Sequence, residues 1–233
     1  MSGKGLLMRR IAVAIDGFSG CGKGSTAKAV AKSLDYIYVD SGAMYRGVTY
    51  LLSQAGISAQ DPEKVNALLD RLQLNFRKTG SGETHLFNGE VDLEPHLRTM
   101  EVNALVSEVS AIPEVRARLV SQQQALGKDG GIVMDGRDIG TVVFPHAELK
   151  LFLTADIQIR AERRKRELEE KGINATLDEI VRNFQDRDRL DSEREVSPLR
   201  KAADAVELDT SFLTFEEQIN RVLNLAEEII YAD

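Results

Sequence analysis

The sequence predicts an α/β fold with five parallel strands, and three observations support this prediction. Short apolar runs recur along the 233 residues, and helix-forming stretches separate most of them, as in strands joined by crossover helices. The first run leads through a glycine-rich loop into its helix. Residues 74–93 instead alternate between apolar and polar side chains, which predicts a small antiparallel insert.

The glycine-rich loop follows a predicted strand at residues 10–16 and precedes a predicted helix at residues 26–34. It consists of Gly17, Phe18, Ser19, Gly20, Cys21, Gly22, Lys23, Gly24 and Ser25. The backbone N–H groups of such a loop cradle phosphates at a helix N-terminus. Lys23 can reach the outer phosphates from an exposed position, and a hydroxyl can ligate Mg²⁺. We therefore predict a P-loop, in which the hydroxyl comes from Ser25 because Gly24 follows the lysine.

Composition narrows the classes of protein to which the chain can belong. The net charge of −7 argues against a general nucleic-acid binder. The single cysteine excludes an internal disulfide and suits a reducing compartment. No apolar run is long enough to span a membrane. We expect a cytoplasmic monomer that contacts neither nucleic acid nor membrane, and we expect bound nucleotide to shield the thiol of Cys21.

Polar residues follow the second predicted strand, at residues 36–39. Ser41 lies just before a helix predicted for residues 43–54, and Arg46 lies about one turn into that helix. Ser41 could serve only as the N-cap of the helix. The ends of parallel strands open onto the ligand crevice of a sheet, so Ser41 and Arg46 are also candidates to face a second ligand beside the P-loop.

The middle of the chain predicts helices around the antiparallel insert. Pro62 starts one helix, and residues 97–126 form helical sequence that Pro113 interrupts. Within 74–93, the Asn88–Gly89 pair predicts the turn of a hairpin. His85 and His96 lack the spacing of metal ligands and are interpreted as surface or structural residues.

The third predicted strand, residues 132–135, ends in charged residues. A carboxylate at the position of Asp135, at a strand end after a P-loop, can organise Mg²⁺ directly or through water. Arg137 and Asp138 follow between glycines, and the crevice rule predicts that they belong to a site.

Two highly charged helices follow the fourth predicted strand, at residues 149–153. The first, at 156–171, is rich in arginine, and most of these side chains are expected to pair with acids on the same helix. The second begins at a capping box at Thr176 and carries Arg187, Asp191 and Arg194 on one face. We predict that the two helices form a mobile cover over a nucleotide. A fifth strand at 206–208 and a closing helix at 215–230 complete the fold.

This set of side chains suits phosphoryl transfer to a phosphate acceptor. A monophosphate has a second pKa of about 6 and is largely dianionic at neutral pH, so it needs no strong general base. It needs cations that overcome the repulsion between two anions, and the arginine fork binds phosphate in a bidentate way. The chain has many arginines, a P-loop lysine and a metal-binding hydroxyl near the predicted crevice.

Three segments resemble the signatures of the bacterial cytidylate kinase family, a group of nucleoside monophosphate kinases. They are residues 40–46, 135–145 and 187–199, and the insert at 74–93 resembles that of the long bacterial form. The resemblance covers essentially the whole chain. It implies a three-layer α/β/α P-loop NTPase domain with a core of about 1–42, 130–155 and 198–233. An acceptor-binding region would occupy about 43–129, and a helical lid about 156–197.

The resemblance also implies an activity, the ATP-dependent phosphorylation of CMP and dCMP, and the residues that perform it. ATP would be held by residues 17–25 with Arg160 and Arg164, and Mg²⁺ by Ser25 and Asp135. The residues that would bind CMP are Ser41, Tyr45, Arg46, Ser107, Arg116, Arg137, Asp138, Arg187, Asp191 and Arg194. Those that would contact the cytosine ring are Ser107, Arg116 and Asp138. Arg187 and Asp191 would hold the ribose, and Arg46, Arg137 and Arg194 the phosphate. The catalytic residues would be Lys23, Arg137, Arg187 and Arg194.

Two alternatives remain open at the level of the sequence. One is a P-loop kinase that acts on another small acceptor, such as UMP, AMP or a hydroxylated metabolite. The other is a nucleotide switch without transfer chemistry. A GTPase switch would carry an Asn-Lys-x-Asp guanine motif, and the sequence has none.

Overall fold

The computed structural model of the chain describes residues 9–80, 83–170 and 172–232. The described residues form a five-stranded parallel sheet and a separate three-stranded antiparallel sheet. The sequence of residues 79–82 predicts a turn, and both this turn and the end of the helix predicted for 156–171 fall partly outside the described residues. Among the described helices, none has the length and apolar character required to cross a membrane.

The parallel sheet confirms the five predicted strands. Its strands in chain order are β1 Ala12–Gly17, β2 Ile37–Asp40, β6 Ile132–Gly136, β7 Leu149–Thr154 and β8 Val206–Asp209. They lie side by side in the order β2-β6-β1-β7-β8, and all neighbouring pairs are parallel. The register pairs Asp40 with Asp135 and Asp16 with Gly136. The polar ends of β1, β2 and β6 therefore meet at one edge of the sheet.

The antiparallel sheet confirms the predicted meander at 74–93. It consists of β3 Leu74–Lys78, β4 Thr84–Asn88 and β5 Val91–Asp92. Gly89 has a positive φ of 57° in the turn between β4 and β5, a conformation that glycine adopts without steric cost.

Eight α-helices join and cover the strands of the described chain. They are α1 Lys23–Leu34, α2 Ser41–Gln54, α3 Pro62–Asp70, α4 Met100–Val109, α5 Pro113–Leu126, α6 Ile157–Glu170, α7 Leu177–Glu193 and α8 Phe215–Ile230. Pro113 starts α5 and so divides the helical stretch 97–126 as predicted. A short π-helical turn, Ile139–Val143, follows β6.

The helices lie on both faces of the parallel sheet, which gives three layers. Alternate residues of β1 point to opposite faces. Ala12 and Ala14 contact the core on the side of α2 and α5. Val13 and Ile15 contact the other core, with apolar residues of α1 and α8. The helix pair α6–α7 has its own small apolar cluster, and the predicted capping box at Thr176 is present.

Helix α2 begins earlier than the sequence predicts. It starts at Ser41, and its N-cap is Asp40, whose carboxylate accepts a hydrogen bond of 2.8 Å from the backbone N–H of Ala43. The interpretation of Ser41 as an N-cap is therefore wrong. Since Asp40 caps the helix, the hydroxyl of Ser41 is free to donate to the backbone carbonyl of Asp135 at 2.6 Å. This bond ties the end of β6 to the start of α2.

Candidate active site

The glycine-rich loop connects β1 to α1 as predicted, and its shape depends on glycines in the left-handed backbone conformation. Gly20 has a φ of 75° and Gly22 a φ of 89°, values that disfavour any residue with a Cβ. Gly22 is the N-cap of α1 and supplies no side-chain acceptor to the helix. The first N–H groups of a helix have no partner within it. This uncapped N-terminus therefore suits the phosphates of a nucleotide.

Lys23 is buried, with 6% of its surface exposed, so the expectation of an exposed lysine is wrong. Its Nζ donates to the backbone carbonyl of Phe18 at 2.5 Å because the loop folds back over the side chain. Burial, followed by the positive charge of Arg137, lowers the pKa of Lys23. The thiol of Cys21 is also fully buried, so it is already shielded without a bound nucleotide.

Asp135 and Ser25 are the predicted Mg²⁺ ligands, and Asp135 is close enough to the P-loop lysine for its charge to act on the pKa of that lysine. Asp135 accepts a hydrogen bond of 2.9 Å from the hydroxyl of Tyr38. Burial, followed by the negative charge of Asp40, raises the pKa of Asp135 to about 7, and a cation would favour its ionised form. A Cβ at Gly24 would lie 3.8 Å from a carboxylate oxygen of Asp135, and the next residue, Ser25, is exposed.

Asp135 and Ser25 suit Mg²⁺ better than a metal ion that is coordinated entirely by protein side chains. The described residues contain no cluster of three or more His, Cys, Asp or Glu side chains that could hold a metal ion. Mg²⁺ commonly needs only one or two protein oxygens, because water and substrate phosphates complete its octahedron. Asp135 and Ser25 offer this kind of incomplete set.

One cavity brings together all ten residues predicted to bind the acceptor. They are Ser41, Tyr45, Arg46, Ser107, Arg116, Arg137, Asp138, Arg187, Asp191 and Arg194. They come from α2, α4, α5, the end of β6, and α7 with its C-terminal flank. Four further residues line the cavity and were not predicted, namely Gly42, Val106, Ser110 and Gly136.

The cavity contains arginines that are close enough to repel one another. Burial, followed by the charges of Arg137 and Arg46, lowers the pKa of Arg187 to about 10. Burial also lowers the pKa of Arg46 and Arg194. The buried Nε atoms of Arg46 and Arg187 have no hydrogen-bond partner among the described residues. An anion bound here would satisfy these donors and neutralise the repulsion.

Asp138 and Arg116 form a buried ion pair at one side of the cavity. One carboxylate oxygen of Asp138 accepts from Arg116, and the other lies 3.5 Å from Nη2 of Arg194. Arg116 also donates to the backbone carbonyl of Ser110 at 3.0 Å, and its guanidinium lies 5.2 Å from the centre of the Tyr45 ring. This polar and enclosed group could recognise the edge of a flat heterocycle.

Arg137 links the acceptor cavity to the P-loop. Its Nε donates to Asp191 at 2.7 Å, and its Nη2 donates to the hydroxyl of Ser19 at 2.9 Å. Burial opposes the ionisation of Asp191, but the charge of Arg137 and its hydrogen bond outweigh this effect and lower the pKa. A single guanidinium therefore lies between the two predicted phosphate sites.

Arg160 and Arg164, the two arginines of α6 that were predicted to bind ATP, have different partners in the structure. Arg160 donates to the backbone carbonyl of Ser19 at 2.8 Å and to Asp188 at 2.6 Å. Asp188 also accepts from the backbone N–H of Ser19 at 3.0 Å. Arg164 instead pairs with Glu167 at 3.0 Å on the surface of the same helix.

Both histidines considered in the sequence are structural, as interpreted. His85 Nδ1 lies 2.7 Å from the carboxylate of Asp92, within the antiparallel sheet. His96 stacks on Tyr50 with 4.5 Å between the ring centres. Neither histidine is among the residues that line the acceptor cavity.

Sequence reasoning assigned no role to Asp16, Ser110 and Asp188. Asp188 adjoins the predicted Arg187, so the alternation of acid and base on α7 was the available signal. Ser110 acts through its backbone carbonyl, which carries no sequence signal. Asp16 ends the first strand beside the P-loop, and its contact with residues 139 and 140 depends on the sheet order.

Comparison with known proteins agrees with this geometry. A model of the cytidylate kinase family matches residues 13–228. The chain is 50% identical to the cytidylate kinase of Cytophaga hutchinsonii over 222 residues, with 94% of each chain covered. It is also 50% identical to that of Flavobacterium psychrophilum, with 95% of this chain and 100% of the relative covered.

The solved structures show the fold alone. A crystal structure of an uncharacterized protein from Eubacterium ventriosum has a TM-score of 0.50 and 10% sequence identity, and the alignment covers 94% of this chain and 99% of that one.

The matched family model spans nearly all of the described residues, including the P-loop, the acceptor cavity and helices α6 and α7. The chain belongs to the cytidylate kinase family.

Proposed function

We propose that the chain transfers the γ-phosphoryl group of ATP to CMP and dCMP and produces CDP and dCDP. The observation that carries this proposal is the cavity next to the P-loop, in which five arginines and two aspartates from distant segments converge. The names of the curated relatives support cytidylate as the acceptor. The alternative acceptors are not favoured by these relatives.

The acceptor phosphate would bind among Arg46, Arg137 and Arg194. These side chains carry the positive charge that a dianion requires, and unpaired donors are available at Arg46. The phosphate oxygen attacks without a strong base, because the second pKa of a monophosphate is about 6. The work of the site is therefore to hold two anions in line and to neutralise their charge.

The transferred phosphoryl group would lie between the P-loop and the acceptor cavity. Lys23 belongs to the P-loop and Arg137 follows β6, and Arg137 already contacts Ser19. Arg187 adds a third cation from the lid. Mg²⁺, held by Asp135 and Ser25 directly or through water, would neutralise charge on the ATP phosphates. Electrostatic stabilisation of this kind is commonly the largest contribution to catalysis.

The base and the ribose would occupy the remainder of the cavity. A cytosine presents an amino group at N4, and a carboxylate is a suited acceptor for it. Asp138 supplies that carboxylate, and Arg116 and Ser107 lie around it. Asp191, which Arg137 orients at 2.7 Å, would accept from a ribose hydroxyl together with a contact from Arg187.

These positions assign a role to each segment of the chain. We infer a nucleotide-binding core at about 1–42, 130–155 and 198–233, an acceptor region at about 43–129 and a lid at about 156–197. In the lid, Arg160 would contact ATP in preference to Arg164. We also infer a cytoplasmic location, since a single free thiol suits a reducing compartment. We infer a monomer, since one copy of the chain supplies all ten predicted acceptor residues.

The first experiment is an acceptor panel with the whole chain. ADP production from ATP and Mg²⁺ is measured with CMP, dCMP, UMP, AMP, GMP and dTMP offered separately. We expect turnover with CMP and dCMP to exceed that with the others. Turnover with a different monophosphate alone would keep the kinase chemistry and refute the cytosine site. Absence of any acceptor-dependent turnover would refute the proposed function.

A further inference from the structure

The π-helical turn Ile139–Val143 begins directly after Asp138, so Asp138 is its N-cap residue. The first N–H groups of a helical turn have no partner within it. An aspartate at the N-cap commonly satisfies one of them with its own side chain. Asp138 makes no such capping bond, and its carboxylate faces Arg116 and Arg194 in the acceptor cavity instead.

Asp16, at the end of β1, satisfies these N–H groups in place of Asp138. Its Oδ1 accepts from the backbone N–H of Ile139 at 2.8 Å, and its Oδ2 accepts from that of Gly140 at 2.7 Å. The side chain is buried, with 3% of the residue exposed. Burial is the main reason that the pKa of Asp16 rises to about 6, and the two amide bonds oppose this effect. A buried carboxylate is costly unless its bonds are well made.

The fit between Asp16 and the turn is tight. A Cβ at Gly140 would lie 3.3 Å from Oδ2 of Asp16, so the absence of a side chain there permits the close approach. The register of the sheet places Asp16 beside Gly136, two residues before Asp138. Asp16 is also the residue directly before Gly17 of the P-loop. One side chain therefore connects the P-loop strand to the segment that carries Arg137 and Asp138.

We propose that Asp16 is a positioning residue for acceptor recognition: it caps the 139–143 turn from the neighbouring strand and thereby leaves the carboxylate of Asp138 free to bind the acceptor base. Without this external cap, the two free amides beside Asp138 would attract its own carboxylate and turn it away from Arg116. The inference rests on the proposed function, because it assigns Asp138 to the cytosine.

The test is the substitution Asp16→Asn in the whole chain. The amide has the same shape but only one acceptor oxygen, so one of the two backbone N–H groups loses its partner. We therefore expect the preference for CMP over UMP, measured as the ratio of kcat/KM values, to fall about tenfold. The KM for CMP should rise while the KM for ATP stays nearly unchanged.

Lys150→Met is the matched control. Nζ of Lys150 donates to the carbonyl of Pro145 at 2.5 Å, and its stem would lie 3.3 Å from a Cβ at Gly140. The substitution therefore loosens the same segment from its other end without removing the cap. We expect the ratio for CMP and UMP to remain that of the original chain. An equal loss of preference in Lys150→Met would refute a specific role for Asp16.

A double-substitution cycle shows whether Asp16 acts through Asp138. We expect Asp138→Asn alone to remove the preference for CMP, and Asp16→Asn added to it to cause no further loss of preference. Effects of residues that act through each other are not additive. Additive losses, or equal rises of KM for ATP and CMP in Asp16→Asn, would overturn the proposal.

Gly140→Ala tests the same contact if Asp16→Asn does not fold. Its added methyl group would crowd the Asp16 carboxylate at 3.3 Å, and we expect the same selective loss in a weaker form. The two proposals fail in different ways. If the original chain shows no preference for CMP, the cytosine assignment is refuted. The role of Asp16 is then tested with whichever monophosphate reacts: in Asp16→Asn, the KM for that acceptor should rise while the KM for ATP does not.

Discussion

Lys23 shows at the scale of one residue how the fold prepares a cation for phosphate. The side chain is buried, and its Nζ bonds to the carbonyl of Phe18 at 2.5 Å. A buried ammonium is costly to hold, and burial lowers its pKa. Phosphate oxygens brought to the loop would be much stronger partners than one carbonyl. The local geometry therefore holds the charge ready for a nucleotide.

We expect Lys23→Met to reduce kcat by about 10²–10³-fold, because it removes one electrostatic contact with the transferred phosphoryl group. The coupled assay of ADP production measures this effect, and circular dichroism reports on the fold. Lys28→Met is the control, since Lys28 lies on the same helix and is exposed. Similar kcat values for both variants would contradict the role of Lys23.

Asp138 has a structural effect that must be separated from base recognition. Its partner Arg116 is 2% exposed, so truncation of Asp138 would leave a buried charge without its carboxylate. We expect Asp138→Ala to lower the free energy of unfolding by about 3–5 kcal/mol, as measured by urea unfolding. Asp138→Asn retains a polar partner and is therefore the better variant for substrate specificity.

The control for this stability measurement is Arg189→Ala. Arg189 makes ion pairs with Asp186 and Glu193 on the exposed surface of α7. Exposed pairs contribute at most about 1 kcal/mol. A loss for Asp138→Ala as small as that for Arg189→Ala would mean that Arg116 finds other partners.

At the scale of elements, the helices α6 and α7 of the proposed lid contact the P-loop around the ion pair of Arg160 and Asp188. Asp188 on α7 contacts both Arg160 on α6 and the backbone N–H of Ser19. The ring of Phe184 packs where a Cβ of Gly20 would lie, at 2.6 Å. The lid therefore contacts the P-loop through a polar and an aromatic group side by side.

We expect Asp188→Ala to loosen the lid, because it removes the partner of a buried arginine. Amide hydrogen exchange within 157–193 should become faster, and the KM for ATP should rise. Arg164→Ala is the control, since Arg164 forms an ion pair with Glu167 on the exposed surface of α6. Unchanged exchange in Asp188→Ala, or equal KM changes in both variants, would contradict this account.

The elements themselves were largely predictable from local sequence. The closing helix occupies the predicted residues 215–230, because Thr214 and Glu217 form a capping box at its start. The start of α2 was less predictable, since both Asp40 and Ser41 are good capping residues. Arg160 and Arg164 lie four residues apart on α6, and the tertiary contacts of Arg160 with Ser19 and Asp188 distinguish them.

At the scale of the whole molecule, the site depends on contacts between distant parts of the chain. Eight of the ten predicted acceptor residues lie in the segments that resemble family signatures, and one cavity contains all ten. The burial of Lys23 and the cap from Asp16 were not predictable, because each depends on how a loop or strand packs after folding. The net charge of −7 also conceals a local excess of arginine at the cavity.

Asp16 makes a further prediction about the stability of the whole fold as pH changes. Its pKa rises from the ordinary value of 3.8 to about 6 on folding, because of burial first, although Asp138 also raises it and Lys23 lowers it. The native state therefore binds more protons than the unfolded state between these values. Stability from this group is present below pH 3.8 and is lost as pH rises through about 6.

The loss amounts to roughly 3 kcal/mol at 1.36 kcal/mol per pH unit. We compare the free energy of unfolding of the original chain and of Asp16→Asn at pH values from 4 to 7. Because all other groups contribute to both proteins, the difference isolates Asp16. We expect the original chain to lose its advantage over the variant progressively as pH rises, whereas a constant or growing advantage would mean that the amides of Ile139 and Gly140 keep Asp16 ionised throughout.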